Sequence, residues 1–299
     1  MTSRRNFLRM AASVGVAANM LRVPQASSAE PPLTWRHFPT GDQGFYRAPV
    51  LLMGSKEATL LDGGFRISDG RALTDAIQAS GKSLRSIYIS QSDPDYYFSL
   101  APVRAAFPEA KVLAASATVS AIKGNVEGKL SIWGPQLKED GPQKLSDVVI
   151  PEAFDSGTLT LEGHKIEIVD AHGLANRRYL YVPSLNAIFG GVMVFAGLHV
   201  WTADTPTQAT RAAWIKNLEL MAHRKAAIVV PGHMSPGSAL DSTAIQYTHD
   251  YLMAFEEELA KAADSKSLVD AMLKRYPNAG LPVALQIGAK VAKGEMKWG

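Results

Sequence analysis

The apolar run Ile87-Tyr88-Ile89 gives way to Ser90-Gln91-Ser92-Asp93-Pro94-Asp95-Tyr96-Tyr97, and this junction constrains the fold more than any other stretch of the chain. Three β-branched and aromatic residues in a row read as a short buried strand, and residues 98–107 read as a helix. Two carboxylates, an amide and two phenols then fall at the carboxyl end of a strand beside a helix N-terminus. Open α/β sheets receive their ligands at such places.

The same alternation extends along the chain. Residues 35–38 and 46–53 read as strands, and Ala58-Thr59-Leu60-Leu61-Asp62 as a third that leaves through Gly63-Gly64. A helix is expected over 69–79, with Leu73 and Ile77 on one face and Gly81 as its stop. Residues 110–115 form another strand and 118–128 another helix. Residues 130–151, which hold Gly134-Pro135 and Gly141-Pro142, are expected to wander over the surface. Residues 158–169 make a hairpin around Glu162-Gly163 that exits in Asp170-Ala171-His172-Gly173. Strands at 179–182 and 187–189 lead to Gly190-Gly191, a helix spans 206–223, and a strand at 226–230 ends in Pro231-Gly232-His233. Amphipathic helices over 242–258, 267–276 and 281–290 complete the chain. The residues alone therefore give an α/β protein in which separate strand ends present Asp93 and Asp95, His172, Gly191 and His233.

Charge and cysteine content narrow the chemistry. Arg4, Arg5, Arg9 and Arg22 precede the first acidic residue, Glu30, so removing residues 1–29 takes the formal charge from +3 by four to −1. A nearly neutral body gives no argument for nucleic-acid binding. With no cysteine, disulfides and thiolate ligands are excluded, and a metal would need His, Asp, Glu or Tyr. The order Ser3-Arg4-Arg5-Asn6-Phe7-Leu8-Arg9, a weakly apolar stretch over 10–21, and Ser27-Ser28-Ala29 reads as a cleavable targeting segment. The apolar stretch is too short to span a bilayer, which takes roughly 20 residues. The paired arginines before Phe7-Leu8 resemble a bacterial twin-arginine signal. They predict a periplasmic or otherwise exported protein whose partner in transit is the twin-arginine export machinery.

In its strand-end residues the chain resembles the metallo-β-lactamase superfamily, from Leu60-Leu61-Asp62-Gly63 to Pro231-Gly232-His233. The resemblance implies an αββα sandwich over 30–240 with a C-terminal helical tail over 241–299 packed on it. Members carry a His-x-His-x-Asp-His signature, a further His, a bridging Asp and a last His. The signature falls here on Gln91-Ser92-Asp93-Pro94-Asp95-Tyr96, the further His on His172, the bridging Asp on Gly191 and the last His on His233. Asp95, His172 and His233 keep the usual residue type, and Asp93 stands in place of a His.

This degenerate motif leaves two expectations. In the first, the protein is an exported metal-dependent hydrolase acting on an ester, lactone or related bond. Asp93, Asp95, His172 and His233 would hold one divalent ion, zinc, iron or manganese, with Asp95 or Tyr96 handling protons. In the second, the protein is metal-free and non-catalytic and binds a small molecule in the same cleft. Asp93 and Asp95 then cap the helix that follows, with Pro94 fixing the turn. Either way Gln91, His199, Trp201 and Arg177 are candidates for contact with a small-molecule substrate. Gly190 and Gly191 serve close backbone packing. The C-terminal helices are able to pack within the chain or to make a homo-oligomer.

Overall fold

Alternating apolar residues divide each strand between two cores. Val50, Leu52, Leu61, Tyr88 and Leu113 enter a cluster with Leu159, Leu161, Ile166, Leu180, Val182 and Phe189. Their neighbours Leu51, Leu60, Ile87, Val112, Ile188 and Val229 join helix side chains in a second cluster. Because successive strand side chains point to opposite faces, this division requires two sheets face to face with helices outside.

The structure, a computed structural model, describes residues 31–298. The expected export signal lies outside the described residues. The first sheet contains β1 (Thr34–His37), β2 (Val50–Met53), β3 (Glu57–Leu61), β4 (Ser83–Tyr88), β5 (Lys111–Ala114) and β6 (Glu152–Ala153), in that order. It begins antiparallel and is parallel from β3 onward. The second contains β7 (Thr158–Leu161), β8 (His164–Asp170), β9 (Arg178–Val182) and β10 (Ala187–Phe189). Two further short strands, β11 (Phe195–Ala196) and β13 (His233–Met234), form a separate parallel pair, and β12 (Ile228–Val230) closes the second sheet in the order β12-β10-β9-β8-β7. Helices α1 (Ile67–Ala79), α2 (Leu100–Ala106) and α3 (Ser116–Leu137) precede the second sheet in the chain. Helix α4 (Gln208–His223) precedes β12, and α5 (Thr243–Lys261), α6 (Ser265–Arg275) and α7 (Pro282–Ala292) follow β13. Among the described residues no helix is long and apolar enough to cross a membrane.

The sequence expectation failed most clearly at α3. It was to stop near residue 128 and give way to a surface excursion, yet it runs to Leu137 with Pro135 inside it. Trp133 explains the extension, because its ring packs edge-on against Phe45 at 5.5 Å and Phe65 at 5.3 Å. At the helix end the Gln143 amide donates to Gly134 O at 3.1 Å, which also accepts from the Lys138 N–H, and to Lys138 O at 2.5 Å. Tertiary contacts thus override a local breaker.

The Glu162-Gly163 turn has φ of 45° and 84°, and it joins β7 and β8 as the sequence indicates. The Glu162 carboxylate reaches across to the β2–β3 turn. It accepts from the backbone N–H groups of Ser55 at 2.7 Å, Lys56 at 2.6 Å and Glu57 at 2.7 Å, which ties one sheet to the other.

Candidate functional site

The site forms where the segment before β2 is zipped to the segment around β13. Met234 N–H donates to Tyr46 O at 2.9 Å, Ala48 N–H donates to Gly232 O at 3.0 Å, and Arg47 bridges to His233. Phe45 and Tyr46 accept left-handed φ values of 55° and 56° to make this approach. Two consecutive aromatic residues in that region carry strain of the kind found where a site over-determines its backbone. The result is that the Phe45 carbonyl points at His233 and the Arg47 side chain runs into the interior.

Arg47 is fully buried. Its Nη1 donates to Gly232 O at 2.6 Å and its Nε to Asp95 O at 3.3 Å. The guanidinium pairs with Asp62 at 3.3 Å and Asp95 at 3.7 Å and lies over the Tyr96 ring at 3.6 Å from its centre. Asp62, at the end of β3, also accepts from Ser90 N–H at 2.7 Å and Ser90 Oγ–H at 2.8 Å. Room for Arg47 comes from Gly232, where a Cβ would stand 2.9 Å from Nη1 and 2.1 Å from the Gly191 carbonyl oxygen. Gly191 itself sits at φ 50° against Arg178 O and Ser90 Oγ. This position is therefore shaped for backbone packing, as the sequence suggested, and suits no bridging carboxylate.

His233 is held on three sides. Its Nδ1 is 2.7 Å from Phe45 O, its Nε2 is 3.3 Å from the Tyr96 hydroxyl and 3.5 Å from Asp95 Oδ2, and its ring stacks on Phe195 at 4.7 Å. A carbonyl can only accept, so Nδ1 carries the proton and Nε2 is left as an acceptor. Burial and the nearby Arg47 keep its pKa well below the usual value, so the ring is neutral at pH 7. Burial also pushes the Asp95 carboxyl up to about 6, against the pull of Arg47. Tyr96 is pushed well above its ordinary range by the same cause.

Beside this group lies a second charged cluster. Asp93 accepts from the Gln91 amide at 2.9 Å and pairs with Lys129 at 3.4 Å. Burial first and the neighbouring Asp204 second drive its pKa well up. Asp204 accepts from the Trp298 indole at 2.8 Å and pairs with Arg177 at 3.5 Å. Arg177 is buried, with its guanidinium over the Trp214 ring at 4.2 Å.

These clusters form the floor of a cavity of about 610 Å³, counted out to its open mouth. Its walls include Phe45, Phe65, Trp133, Trp201 and Trp298, with Leu281, Val283 and Ile287 of α7 and the turn before it. Helix α7 is anchored there by paired bonds, His199 N–H to Gly280 O at 2.8 Å and Gly280 N–H to Gly197 O at 3.0 Å.

Of the residues singled out from sequence, Asp93, Asp95, Tyr96, His233 and Trp201 line the cavity. Others do not. His172 is exposed, and its backbone binds the Asn217 side chain through N–H at 3.0 Å and C=O at 2.8 Å. Gln91 folds back on its own loop, accepting from Ser92 N–H and from Asp93 N–H at 3.1 Å. His199 is wholly buried with Nδ1 3.0 Å from the Tyr251 hydroxyl, and burial lowers its pKa to about 4. Arg177 stands behind Asp204 and away from the cavity wall. The capping alternative also fails for Asp93, which precedes a short 3-10 turn over Pro94–Tyr96 and makes no capping bond to it. Sequence reasoning missed Arg47, Lys129, Trp133 and Trp298. For Arg47 a signal exists: it is a lone charge directly before the apolar strand Val50–Met53.

The expected four-ligand site does not fit this arrangement. Among the described residues no three His, Asp or Glu side chains are gathered to hold an ion. Where Asp95 and His233 approach one another, a protein cation shared with Asp62 already stands 3.7 Å from the carboxylate.

Two facing sheets with helices outside and a cavity at their strand ends define the metallo-β-lactamase fold. Solved structures similar to this chain include a metallo-β-lactamase from Pontibacter korlensis, at 18% identity over 76% of this chain and 97% of that one, with a TM-score of 0.54. The metallo-β-lactamase DIM-1 follows at 15% identity over 75% of this chain and 94% of its own, with a TM-score of 0.52. A metallo-β-lactamase from Hirschia baltica gives 14%, 74%, 92% and 0.50 for the same quantities. No protein-family model matches the sequence, and no curated protein matches it. Identities this low speak for the fold alone, and chemistry must be argued from the residues present.

Proposed function

We propose that the protein binds a small organic molecule in the aromatic cavity without recruiting a metal ion. On this reading it is a binding member of a fold otherwise used for metal-dependent hydrolysis. The observation that carries the reading is the Arg47 guanidinium, buried against both Asp62 and Asp95 and over Tyr96. Two unit charges 4 Å apart interact by about 4 kcal/mol at an effective dielectric near 20, and a divalent ion doubles that figure. An ion seated on Asp95 and His233 would meet that repulsion from Arg47. It would also lack His172, whose side chain is exposed and absent from the cavity wall.

The cavity supports the organic-ligand half of the proposal. It joins a mostly aromatic wall to a few fixed polar groups, the usual composition of such sites. Metal analysis of the full chain, expressed with zinc, iron and manganese supplied and purified without chelator, tests the proposal. Less than about one-tenth of an equivalent of each metal is expected, since the binding free energy of a real site would retain far more. A stoichiometric metal that survives dialysis would overturn the proposal and return the hydrolase reading, with Asp93, Asp95 and His233 as its ligands.

A further inference from the structure

We propose that the ligand of this cavity is an organic cation, a compact aromatic or apolar body carrying one protonated nitrogen that is received by Asp95 beside His233. This rests on the organic-ligand reading above and adds to it the charge of the ligand.

The hydrogen-bonding capacity of the cavity floor is one-sided. His233 has its only proton committed to Phe45 O, so its Nε2 lone pair accepts the Tyr96 hydroxyl at 3.3 Å. The hydroxyl proton is thereby used, and the Tyr96 oxygen is left as an acceptor. Asp95 Oδ2, 3.5 Å from Nε2, is a second. Two acceptors whose neighbouring donors are engaged are complementary to a ligand that donates, and poorly suited to one that presents a carboxylate.

Charge counting points the same way. Around Arg47 two carboxylates, Asp62 and Asp95, share one cation, whereas the neighbouring Asp93 and Asp204, whose mutual repulsion helps to raise the Asp93 pKa, have Lys129 and Arg177 between them. One negative charge is therefore in excess, and its location follows from the distances. Asp93 has Lys129 at 3.4 Å and Asp204 has Arg177 at 3.5 Å. Asp62 has the closer share of Arg47 at 3.3 Å and two bonds from Ser90 besides. Asp95 is left with the longer contact to Arg47, 3.7 Å, and it borders the cavity. A buried carboxylate short of a partner is costly, and an incoming ammonium or amidinium, which meets half the repulsion from Arg47 that a divalent ion would, removes that cost.

The walls add attraction of the same sign. Aromatic faces draw cations, and the protein already uses this in the site, with Arg47 over Tyr96 at 3.6 Å, Lys129 over Trp298 at 4.7 Å and, behind the wall, Arg177 over Trp214 at 4.2 Å. Among the described residues Lys129 is the one cationic side chain on the wall that an anionic ligand would seek. It is engaged by Asp93 and Trp298, and an anion reaching it would face Asp93 at close range.

The test is calorimetric titration of the full chain, in the presence of EDTA, with three ligands of one shape: 2-phenylethylamine, 2-phenylethanol and 3-phenylpropionate. The amine is expected to bind at least about tenfold more tightly than the alcohol, and the carboxylate most weakly. In Asp95→Asn the gap between amine and alcohol is expected to close to within about twofold. An amine no tighter than the alcohol, or a carboxylate tighter than both, overturns the charge assignment while the cavity remains a binding site. An amine preference that persists in Asp95→Asn overturns the role of Asp95. If none of the three binds, the cation proposal falls, and a binding signal that appears only when zinc replaces EDTA defeats the metal-free reading instead. Should Asp95→Asn fail to fold, the order of the three ligands on the unaltered protein still decides the sign of the charge.

Discussion

Arg47 gathers the electrostatic risk of the site into one side chain. Buried ion pairs add little net stability, because both partners lose water on folding. Removing one partner is different, since the other charge stays buried without compensation. Arg47→Met keeps much of the volume and leaves Asp62 and Asp95 facing each other's charge with only Ser90 in support. A loss of about 3–5 kcal/mol is expected, read from urea unfolding at pH 7. A loss below about 1 kcal/mol would mean that the two carboxylates are neutral and that Arg47 balances nothing. The residues of the loop after β4 were legible because the chemistry of their types and their place at a strand end are both local facts. Arg47 was not legible in this way, because its role depends on Gly232 and Asp62, which meet it only in the folded chain.

Among elements, the clasp between the two hairpin turns is sensitive to pH. Three backbone N–H groups and the Ser55 hydroxyl hold the Glu162 carboxylate, and its pKa falls to about 2. A folded-state pKa below the unfolded one stabilises the native form at pH values above the unfolded pKa. The contribution fades as pH falls from the unfolded carboxyl range toward about 2. Glu162→Gln is therefore expected to lower Tm at pH 7, and the difference from the unaltered protein is expected to shrink steadily below pH 4.5. A Tm difference that is constant between pH 7 and pH 2.5 would show that the clasp acts through shape rather than charge. The elements themselves were largely legible, as α1, β10 and the β7–β8 hairpin illustrate, since each rests on periodicity and local turn chemistry. Helix α3 was legible only in its first half. Its second half depends on Trp133 meeting Phe45 and Phe65, side chains that come together only through tertiary structure.

For the whole molecule, the balance of charge places the basic residues in two unlike regions. Four arginines without an acidic counterpart stand in residues 1–29, and the rest of the chain is close to neutral. We infer that the first region directs export through the twin-arginine route and that the protein works outside the cytoplasm. Fractionation of bacteria expressing the full chain tests this: the unaltered protein is expected in the periplasm, and the double substitution Arg4→Lys, Arg5→Lys is expected to retain it in the cytoplasm. Equal periplasmic amounts of both would defeat the inference. The sandwich was legible at this scale because an ordered set of strand ends survives substitutions in the residues they carry. The presence of α7 and Trp298 in the cavity wall was not, since no local pattern reports which distant surface a helix will cover. That wall begins at Phe45 and ends at Trp298, so it draws on nearly the full span of described sequence. Contacts between such distant positions are slow to form, because the intervening loop must close before they return any energy. The cavity is then expected to be among the last features to appear as the chain folds. A bound molecule would act as a seal on the finished structure, retarding its opening while leaving the speed of its assembly unchanged.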